Sequence, residues 1–314
     1  MKKEAIVLFS GGLDSILVCK IIEKWGFQTF PIIFKSPFIK GIDKESIEKI
    51  YNIKINEIDF YAEQLMIVKH PIYGYGKALN PCIDCHAVMI KMAKAIMDKR
   101  GAQFIATGEV VGQRPMSQRI DAMRSVEKVS DAKGYIVRPL SGKLLEKTIP
   151  EIKGIIKREW LYNISGRGRK EQYKIAEELG ISVIPSSGGG CLLTDIGFSR
   201  RLKKALEYEI DEDSLSIIKY GRVFNLGNGL LIIGRDEGEC KIIEQMKASG
   251  KIISVKGEKG PIGIVISSDR LNLSCSIIGR YTKGIDKEVC CIIDNKILKE
   301  RRYNEKETYG YIIN

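Results

Sequence analysis

The hydrophobic pattern of the first two hundred residues alternates between two periods. Short apolar runs, beginning with Ala5–Phe9, predict buried strands, and apolar residues at helical spacing predict the helices between them. The predicted elements are strands over 5–9, 29–34, 54–60 and 104–107 and helices over 14–24, 46–51 and 85–100. This alternation predicts the α/β class, with a doubly wound, mostly parallel sheet covered by helices on both faces. Ligands bind such sheets at the carboxyl ends of the strands, where Ser10 and Thr107 fall.

The pattern changes near residue 212. Two apolar runs, Val223–Leu226 and Leu230–Ile233, flank Asn228-Gly229, a dipeptide that favours a tight hairpin turn. Three more short runs follow at 252–255, 262–267 and 290–293. We therefore predict two domains, an α/β domain over 1–211 and a smaller, β-rich α+β domain over 212–314.

Composition and charge narrow the class of protein. No apolar run of the 314 residues approaches the length of about 18 that a membrane span needs, so a membrane-spanning protein is excluded. The first apolar run ends at Ser10-Gly11-Gly12 without a cleavage site, and we therefore expect no secretory signal and a cytoplasmic chain. The net charge is +12, and residues 138–174 hold ten basic and four acidic side chains. This excess suggests a polyanionic partner, with a solvated lysine-rich surface as the alternative.

The segment Ser10-Gly11-Gly12-Leu13-Asp14-Ser15 joins the first predicted strand to the first helix. Its glycines let the backbone approach an anion, and the helix N–H groups and serine hydroxyls are donors to phosphate. Asp14 would repel phosphate unless a cation lay between them, which indicates Mg²⁺ bound to a pyrophosphate group. The segment has neither the three-glycine dinucleotide fingerprint nor the Gly-Lys-Ser/Thr of the Walker A loop.

SGGLDS resembles the signature of the N-type ATP pyrophosphatases, the PP-loop superfamily. The resemblance implies an adenine nucleotide alpha hydrolase-like fold and an enzyme that cleaves ATP between the α and β phosphates to adenylate a substrate. It also implies the ATP-binding residues, which we expect to be Ser10, Gly11, Gly12, Asp14, Ser15, Thr107 and Gly108.

The eight cysteines fall into two groups. Five lie in helix-like or strand-like apolar surroundings and are expected to be reduced and packed in the core: Cys19, Cys240, Cys275, Cys290 and Cys291. Cys82, Cys85 and Cys191 instead lie among turn residues. A thiolate at a helix N-terminus is stabilised by the helix dipole, so we expect Cys85 to be nucleophilic or a metal ligand.

Three kinds of metal site fit a Cys-x-x-Cys pair. CIDCH at 82–86 matches the c-type haem attachment pattern, which we reject because no export signal is present. A zinc site would need Cys191 and one further ligand. The third kind is a [4Fe-4S] cluster held on three corners by Cys82, Cys85 and Cys191, with the fourth iron open to sulfide or substrate.

Four motifs together are similar to the tRNA-thiolating branch of the superfamily, which includes the 2-thiouridine and 4-thiouridine synthases. They are SGGLDS, Asn80-Pro81-Cys-x-x-Cys, Ala106-Thr107-Gly108 and Gly190-Cys191-Leu192-Leu193, and the similarity covers about residues 4–200. It implies that ATP adenylates a uridine carbonyl oxygen and that sulfur, from a persulfide or a cluster-bound sulfide, displaces AMP. It also implies catalytic roles for Asp14, Cys85 and Cys191.

Two positions depart from the pattern of that branch. Cys82 stands where many 2-thiouridine synthases have aspartate, which favours the cluster-bearing type. The common pattern is Thr-Gly-His, but this chain has Glu109 after Thr107-Gly108. The departure means that the pattern does not identify the substrate.

Two loops are candidates for RNA contact, with charged surface loops as the alternative. They carry Arg114, Arg119, Arg167, Arg169 and Lys170. Residues 221–237 are similar to a small RNA-associated domain of ribosome quality-control factors.

The leading hypothesis is therefore an ATP-dependent tRNA sulfurtransferase that uses ATP, Mg²⁺ and a [4Fe-4S] cluster. Its partners would be tRNA and a sulfur donor, either sulfide or a persulfide carrier. The alternatives are a PP-loop ligase or sulfur-insertion enzyme with a small-molecule acceptor, and a non-enzymatic RNA-binding adaptor. The oligomeric state is open, and a homodimer is the one assembly considered.

Overall fold

The computed structural model describes residues 3–185, 190–208, 210–246 and 249–313. The chain divides into two units, residues 1–191 and 192–314. The boundary expected from the sequence, near residue 211, lies further along the chain, after the helix Ile196–Ala205. Within the described ranges, no helix is both long enough and apolar enough to cross a bilayer.

The first unit is built on a parallel sheet. Its strands are β1 (Glu4–Leu8), β2 (Gln28–Lys35), β3 (Asn56–Asp59), β4 (Phe104–Thr107) and β5 (Ile136–Val137). They lie in the order β3-β2-β1-β4-β5, and every pairing is parallel. The central strands are buried along almost their whole length because helices cover both faces of the sheet.

Helices pack on the two faces of this sheet. They are α1 (Leu13–Lys24), α2 (Lys44–Tyr51), α3 (Tyr61–Lys69), α4 (Cys82–Arg100), α5 (Ile120–Val129), α6 (Ile149–Ile152) and α7 (Lys170–Glu178), with short 3₁₀ turns at Gly142–Leu144 and Arg158–Trp160. One apolar cluster joins α1 and α7 to one face, and a second joins α4 and α5 to the other. The predicted doubly wound α/β architecture is confirmed.

The second unit contains an antiparallel sheet. Its elements are a 3₁₀ turn at Leu192–Thr194, α8 (Ile196–Ala205), α9 (Glu212–Ile217), β6 (Arg222–Asn225), β7 (Leu230–Ile233), α10 (Glu237–Gln245), β8 (Gly250–Val255), β9 (Gly263–Ile266), α11 (Leu271–Gly279), β10 (Glu288–Ile293), β11 (Lys296–Arg301) and α12 (Glu305–Tyr309). The strands lie in the order β11-β10-β8-β9-β7-β6. The predicted hairpin is the β6–β7 pair, and the prediction of a β-rich α+β fold is confirmed.

Two cysteines of the second unit depart from expectation. Cys275 lies on the helix α11, although its apolar surroundings predicted a strand. Its sulfur and that of Cys291 on β10 lie in the core, but they form a disulfide with the two Cα atoms 5.8 Å apart. The expectation that both would be reduced is wrong, because the fold brings together two residues that are 16 positions apart.

The two halves of the parallel sheet meet between β1 and β4. The chain leaves β1 to one side and β4 to the other, which is the switch point where doubly wound sheets bind ligands. Gly108, just after β4, lies against the first turn of α1: a Cβ atom there would lie 2.9 Å from the Asp14 carbonyl carbon and 3.0 Å from the Ser15 nitrogen. Only glycine allows this approach without moving backbone.

We expect Gly108→Ala to lower the free energy of unfolding by about 1–3 kcal/mol, because the new methyl group must push α1 away from β4. Gly168→Ala is the matched control, since a Cβ there would meet no atom within 4 Å. Thermal unfolding followed by circular dichroism measures both variants. Equal melting temperatures for the two would show that the contact at Gly108 is not tight.

Candidate active site

The glycine loop after β1 forms one wall of the site. Gly11 has φ +75°, and a Cβ there would lie 3.0 Å from Ile42 Cγ2, so both its conformation and its packing favour glycine. Gly12 is the N-cap residue of α1. The Ser15 hydroxyl donates to the Gly12 carbonyl oxygen at 2.8 Å, and the Ser10 and Ser15 hydroxyls lie 3.4 Å apart. Hydroxyl groups and helix N–H groups are thus gathered where a phosphate would be bound.

Asp14 is held by a chain of amides. Gln113 Nε2 donates to Asp14 Oδ2 at 3.0 Å, and Gln172 Nε2 lies 3.4 Å from Gln113 Oε1. The other oxygen, Asp14 Oδ1, is buried and has no hydrogen-bond partner in the described part of the chain. A carboxylate oxygen is the ligand type that Mg²⁺ prefers, so the residue fits the expected cation. Neither glutamine was predicted, because both reach the site only through the fold.

A cavity opens at the carboxyl ends of β1 and β4. Its polar lining includes Ser10, Gly12, Asp14, Ser15, His86, Thr107, Gly108, Glu109, Arg114, Gln118 and Arg169. Its apolar lining includes Phe9, Ile39, Ile42 and Met89. Six of the seven residues expected to bind ATP therefore line one cavity, and Gly11 lies within the same loop. A polar side next to an apolar side suits a nucleotide, which has both a phosphate chain and a flat base.

A buried ion pair stands behind the cavity wall. Arg138 Nε donates to Glu109 Oε2 at 2.9 Å, Arg138 Nη1 donates to Glu127 Oε1 at 2.5 Å, and the Thr107 hydroxyl donates to Glu109 Oε2 at 3.0 Å. Burial by itself would raise the pKa of Glu109, but Arg138 and His86 outweigh it and lower the pKa to about 2. Glu109 is therefore a charged, fixed acceptor that orients its neighbours.

His86 connects the cavity to the cysteines. Its Nδ1 lies 3.4 Å from Glu109 Oε1, and its side chain is 30% exposed. Burial would lower the pKa of the imidazole, but hydrogen bonds and charges from Cys82 and Glu109 raise it to about 10. His86 is therefore a cation at neutral pH. Although the chain has glutamate at position 109, the fold supplies a histidine beside it from α4.

The two cysteines of the Cys-x-x-Cys pair have opposite properties. Burial tends to raise the pKa of Cys82, but His86, Ser117 and Arg114 lower it below its ordinary value. The Cys85 thiol is buried and accepts from Gln64 Nε2 at 3.8 Å; burial first, and then the charges of Cys191 and Cys82, raise its pKa. Burial therefore opposes the effect that we expect of the helix dipole at Cys85, because Cys85 faces the core while Cys82 faces the cations.

Cys191, the last residue of the first unit, lies near the Cys-x-x-Cys pair. It forms an isolated antiparallel bridge with Ile39, and the Lys40 nitrogen donates to the Gly190 carbonyl oxygen at 3.3 Å. The Cys191 sulfur lies 3.8 Å from Asn80 Oδ1, two positions before Cys82. The structure thus brings Cys191 to the N-terminus of α4.

The arrangement of the thiols does not by itself form a metal site. Among the residues that the structure describes, no three histidine, cysteine, aspartate or glutamate side chains are grouped so that they could hold a metal ion. The three cysteines are neighbours, but in the described part of the chain they do not surround one point as the ligands of a single metal ion would. The [4Fe-4S] cluster stays a prediction.

The predicted RNA-contacting residues lie in two settings. Arg114 and Arg169 line the cavity, and Arg119 forms an exposed ion pair with Asp121 at 3.1 Å. Arg167 and Lys170 are exposed at the start of α7.

Part of the basic excess over residues 138–174 is structural and not a surface for a polyanion. Arg138 is buried in the ion pair with Glu109. Arg158 Nη2 donates to the carbonyl oxygens of Lys143 and Leu145 at 2.9 and 2.8 Å.

The chain is similar to several known proteins. Residues 221–307 match the model of the NFACT protein RNA binding domain. A probable tRNA sulfurtransferase of Thermococcus kodakarensis is 29% identical over 161 residues, which are 48% of this chain and 40% of that protein. A tRNA-specific 2-thiouridylase MnmA of Pseudomonas fluorescens is 26% identical over 258 residues, 76% of this chain and 64% of that protein. The chain spans about half the length of the curated relatives it matches.

One similar solved structure is a 4-thiouridine synthetase–RNA complex with bound ATP. It is 21% identical, covers 57% of this chain and 52% of its own, and has a TM-score of 0.39. The family model described as thiamine biosynthesis protein (ThiI) matches residues 1–167, more than half of the chain. The chain therefore belongs to the ThiI family, which agrees with the PP-loop superfamily that its motifs indicated.

Proposed function

We propose that this protein is an ATP-dependent tRNA sulfurtransferase that adenylates a uridine carbonyl oxygen and replaces it with sulfur. The observation that carries the proposal is the position of His86. This side chain lines the cavity that contains the SGGLDS loop, and it lies close enough to Cys82 to lower the pKa of that thiol. A group activated in the cavity would therefore lie next to sulfur.

The first step is the activation of the uridine. The loop over 10–15 and the N-terminus of α1 would bind the phosphates of ATP, with Arg114 and Arg169 as further cations on the cavity wall. Asp14 would hold Mg²⁺, which offsets the charge of the phosphates. The uridine oxygen attacks the α-phosphorus, the bond to the β-phosphate oxygen breaks, and pyrophosphate leaves. The oxygen then becomes part of AMP, a good leaving group.

The second step is the transfer of sulfur. A sulfur atom attacks the activated carbon, the carbon–oxygen bond breaks, and AMP leaves with the electron pair. We propose that a persulfide carrier passes its outer sulfur to one of Cys82, Cys85 and Cys191, and that this sulfur attacks the carbon. A second of these thiols then attacks the inner sulfur, so that the sulfur–sulfur bond breaks, the thiolated base is released, and the two cysteines form a disulfide that an added thiol reductant must reduce. Sulfide, as the alternative source, would attack the carbon directly and form no persulfide. Cys82 is the best placed as a thiolate, because His86 and Arg114 stabilise its negative charge.

Glu109 would act as a positioning residue for this chemistry. Its carboxylate holds the Thr107 hydroxyl and the His86 imidazole, which both line the cavity. Arg138 fixes the carboxylate in turn. A charged acceptor held in this way orients its two neighbours.

The second unit would supply contacts to tRNA. Its likeness to an RNA binding domain supports this role. Arginine side chains also lie over an aromatic ring there: the Arg222 and Arg280 guanidinium carbons are 4.8 and 5.0 Å from the Tyr281 ring centroid. Side chains of these two types are the ones that bind RNA by charge and by stacking.

We expect Asp14→Asn to reduce the tRNA-dependent formation of AMP and of thiolated nucleosides on the order of 100-fold, because the cation loses its charged ligand. Mass spectrometry of nucleosides and AMP from reactions with bulk tRNA measures both products. Asp98→Asn is the control, since Asp98 makes only an exposed ion pair with Lys94 at 2.6 Å.

If the wild type formed AMP at the same rate with and without tRNA, a small-molecule acceptor would be favoured. No AMP under any condition would favour a binding adaptor.

Iron content tests the predicted cluster. A [4Fe-4S] cluster predicts about four irons per chain after anaerobic purification, lost in Cys82→Ala. Cys290→Ala is the control, since Cys290 is a free, half-buried thiol of the second unit. Iron analysis together with the visible absorbance spectrum measures both variants. Thiolation of tRNA by an iron-free wild type would refute the cluster and favour a persulfide.

Acid stability tests the charge on Glu109. Its pKa falls from 4.5 to about 2 on folding, so its contribution to stability is complete above pH 4.5 and is lost as the pH falls towards 2. We expect Glu109→Gln to unfold about 3 kcal/mol more easily at pH 7 and to lose less stability on acidification. Urea unfolding at several pH values measures this. Glu146→Gln, which breaks an exposed pair with Arg124, should match the wild type.

A further inference from the structure

Four large apolar side chains stand out on the surface of the first unit. Ile72, Tyr73 and Tyr75, in the loop between α3 and α4, are 81%, 44% and 44% exposed, and Met116 is 47% exposed. We call these four residues the aromatic platform. A contiguous apolar patch on a protein surface commonly marks a site of interaction.

The loop that carries the platform is held in place by specific hydrogen bonds. The buried carboxylate of Asp84 accepts from the backbone nitrogens of Ile72 and Tyr73 at 3.2 and 3.1 Å, one on each oxygen. The Tyr75 hydroxyl donates to the Val68 carbonyl oxygen at 2.5 Å, which fixes its ring. A buried charge is costly unless it is hydrogen-bonded, so the Asp84 carboxylate stabilises the loop conformation that supplies these two bonds. The backbone of the loop and the Tyr75 ring are therefore preorganised.

The platform lies beside the thiol that faces the cavity. A Cβ at Gly76 would lie 2.9 Å from Met116 Cε, so the missing side chain lets Met116 pack on the loop. The next residue, Ser117, is buried and lies near enough to the Cys82 thiol to lower its pKa. Asp84 itself lies two positions after Cys82, in the first turn of α4. A molecule bound on the platform would thus reach the sulfur.

Charge indicates the kind of partner. The two segments that build the platform, 69–81 and 112–119, contain Lys69, Lys77, Arg114 and Arg119 and no acidic residue. Of these four cations, Arg119 is paired with Asp121, just outside its segment. Positive charge around exposed aromatic rings suits a polyanion that has flat apolar faces. Unpaired RNA has both, since its bases stack on aromatic side chains and its phosphates bind lysine and arginine.

We propose that the aromatic platform binds the unstacked bases of a single-stranded RNA segment beside Cys82. The proposal rests on the proposed function and deepens it, because it assigns the surface that brings the acceptor strand to the sulfur. Tyr73 and Tyr75 would stack on bases, and the basic side chains of both segments would contact the backbone.

The test uses the full chain and a uridine hexamer that contains 5-bromouridine. After irradiation, we expect cross-links on the tryptic peptide over 70–77, and we expect the Tyr73→Leu and Tyr75→Leu variants to bind about tenfold more weakly at that site. Tyr73→Phe keeps a ring and should bind like the wild type. Ile152→Ser is the control, since Ile152 is 72% exposed on α6. Binding of polyphosphate, which has no bases, should be the same in all variants.

Cross-links confined to residues 192–314, or leucine variants that cross-link like the wild type, would overturn the proposal. Leucine variants that lose only the binding of an added protein sulfur carrier would overturn it in favour of a protein partner. The measurement needs neither ATP nor thiolation, so it separates the two proposals. If the wild type thiolates tRNA and the leucine variants still cross-link normally, only the proposal of the aromatic platform is refuted. If the platform binds RNA but the wild type does not thiolate tRNA, only the proposed enzymatic function is refuted.

Discussion

The buried ion pair between Glu109 and Arg138 connects the parallel sheet to the chemistry of the site. Glu109 follows directly on the Thr107-Gly108 end of β4, and Arg138 follows β5, so the pair also ties the ends of two neighbouring strands together. Two charges are tolerated in a protein interior only when they pair with each other, because pairing offsets the cost of removing them from water. The carboxylate consequently has a fixed position, and Thr107 and His86 take theirs from it. If the pair were lost, the cavity wall and the cation beside Cys82 would lose their common support.

The side chains at the start of α4 point in three directions. Cys82 and His86 are four positions apart, so they lie on the same side of the helix and can hydrogen-bond to each other. Asp84 points to the loop that carries the exposed tyrosines, and Cys85 points to the core. One helical turn thus provides a stabilised thiolate, a cation, an anchor for a loop and a buried thiol. The two thiols differ in pKa because they face different surroundings and not because of their positions relative to the helix dipole.

Much of the fold could be predicted from local pattern. The strand over 4–8, the helix over 13–24 and the long helix that ends at Arg100 all have strong periodicity, and each was predicted to within a few residues. The helix α3 was not, since only Gln64 and Val68 of its nine residues are buried, which leaves a weak apolar stripe. The disulfide between Cys275 and Cys291 could not be predicted either, because their pairing depends on how α11 packs on β10.

By itself, the sequence determined the glycine loop, the family and the identities of the cysteines, since these are carried by neighbouring residues with fixed spacing. Only the tertiary structure decided the rest. It showed that Cys191 lies beside Asn80, that His86 occupies the space next to Glu109, and that Arg138 is a buried partner and not a surface charge. The physical reason is that a pKa, a buried pair or a shared cavity depends on distances across space, and residues separated by tens of positions have no such distance until the chain folds.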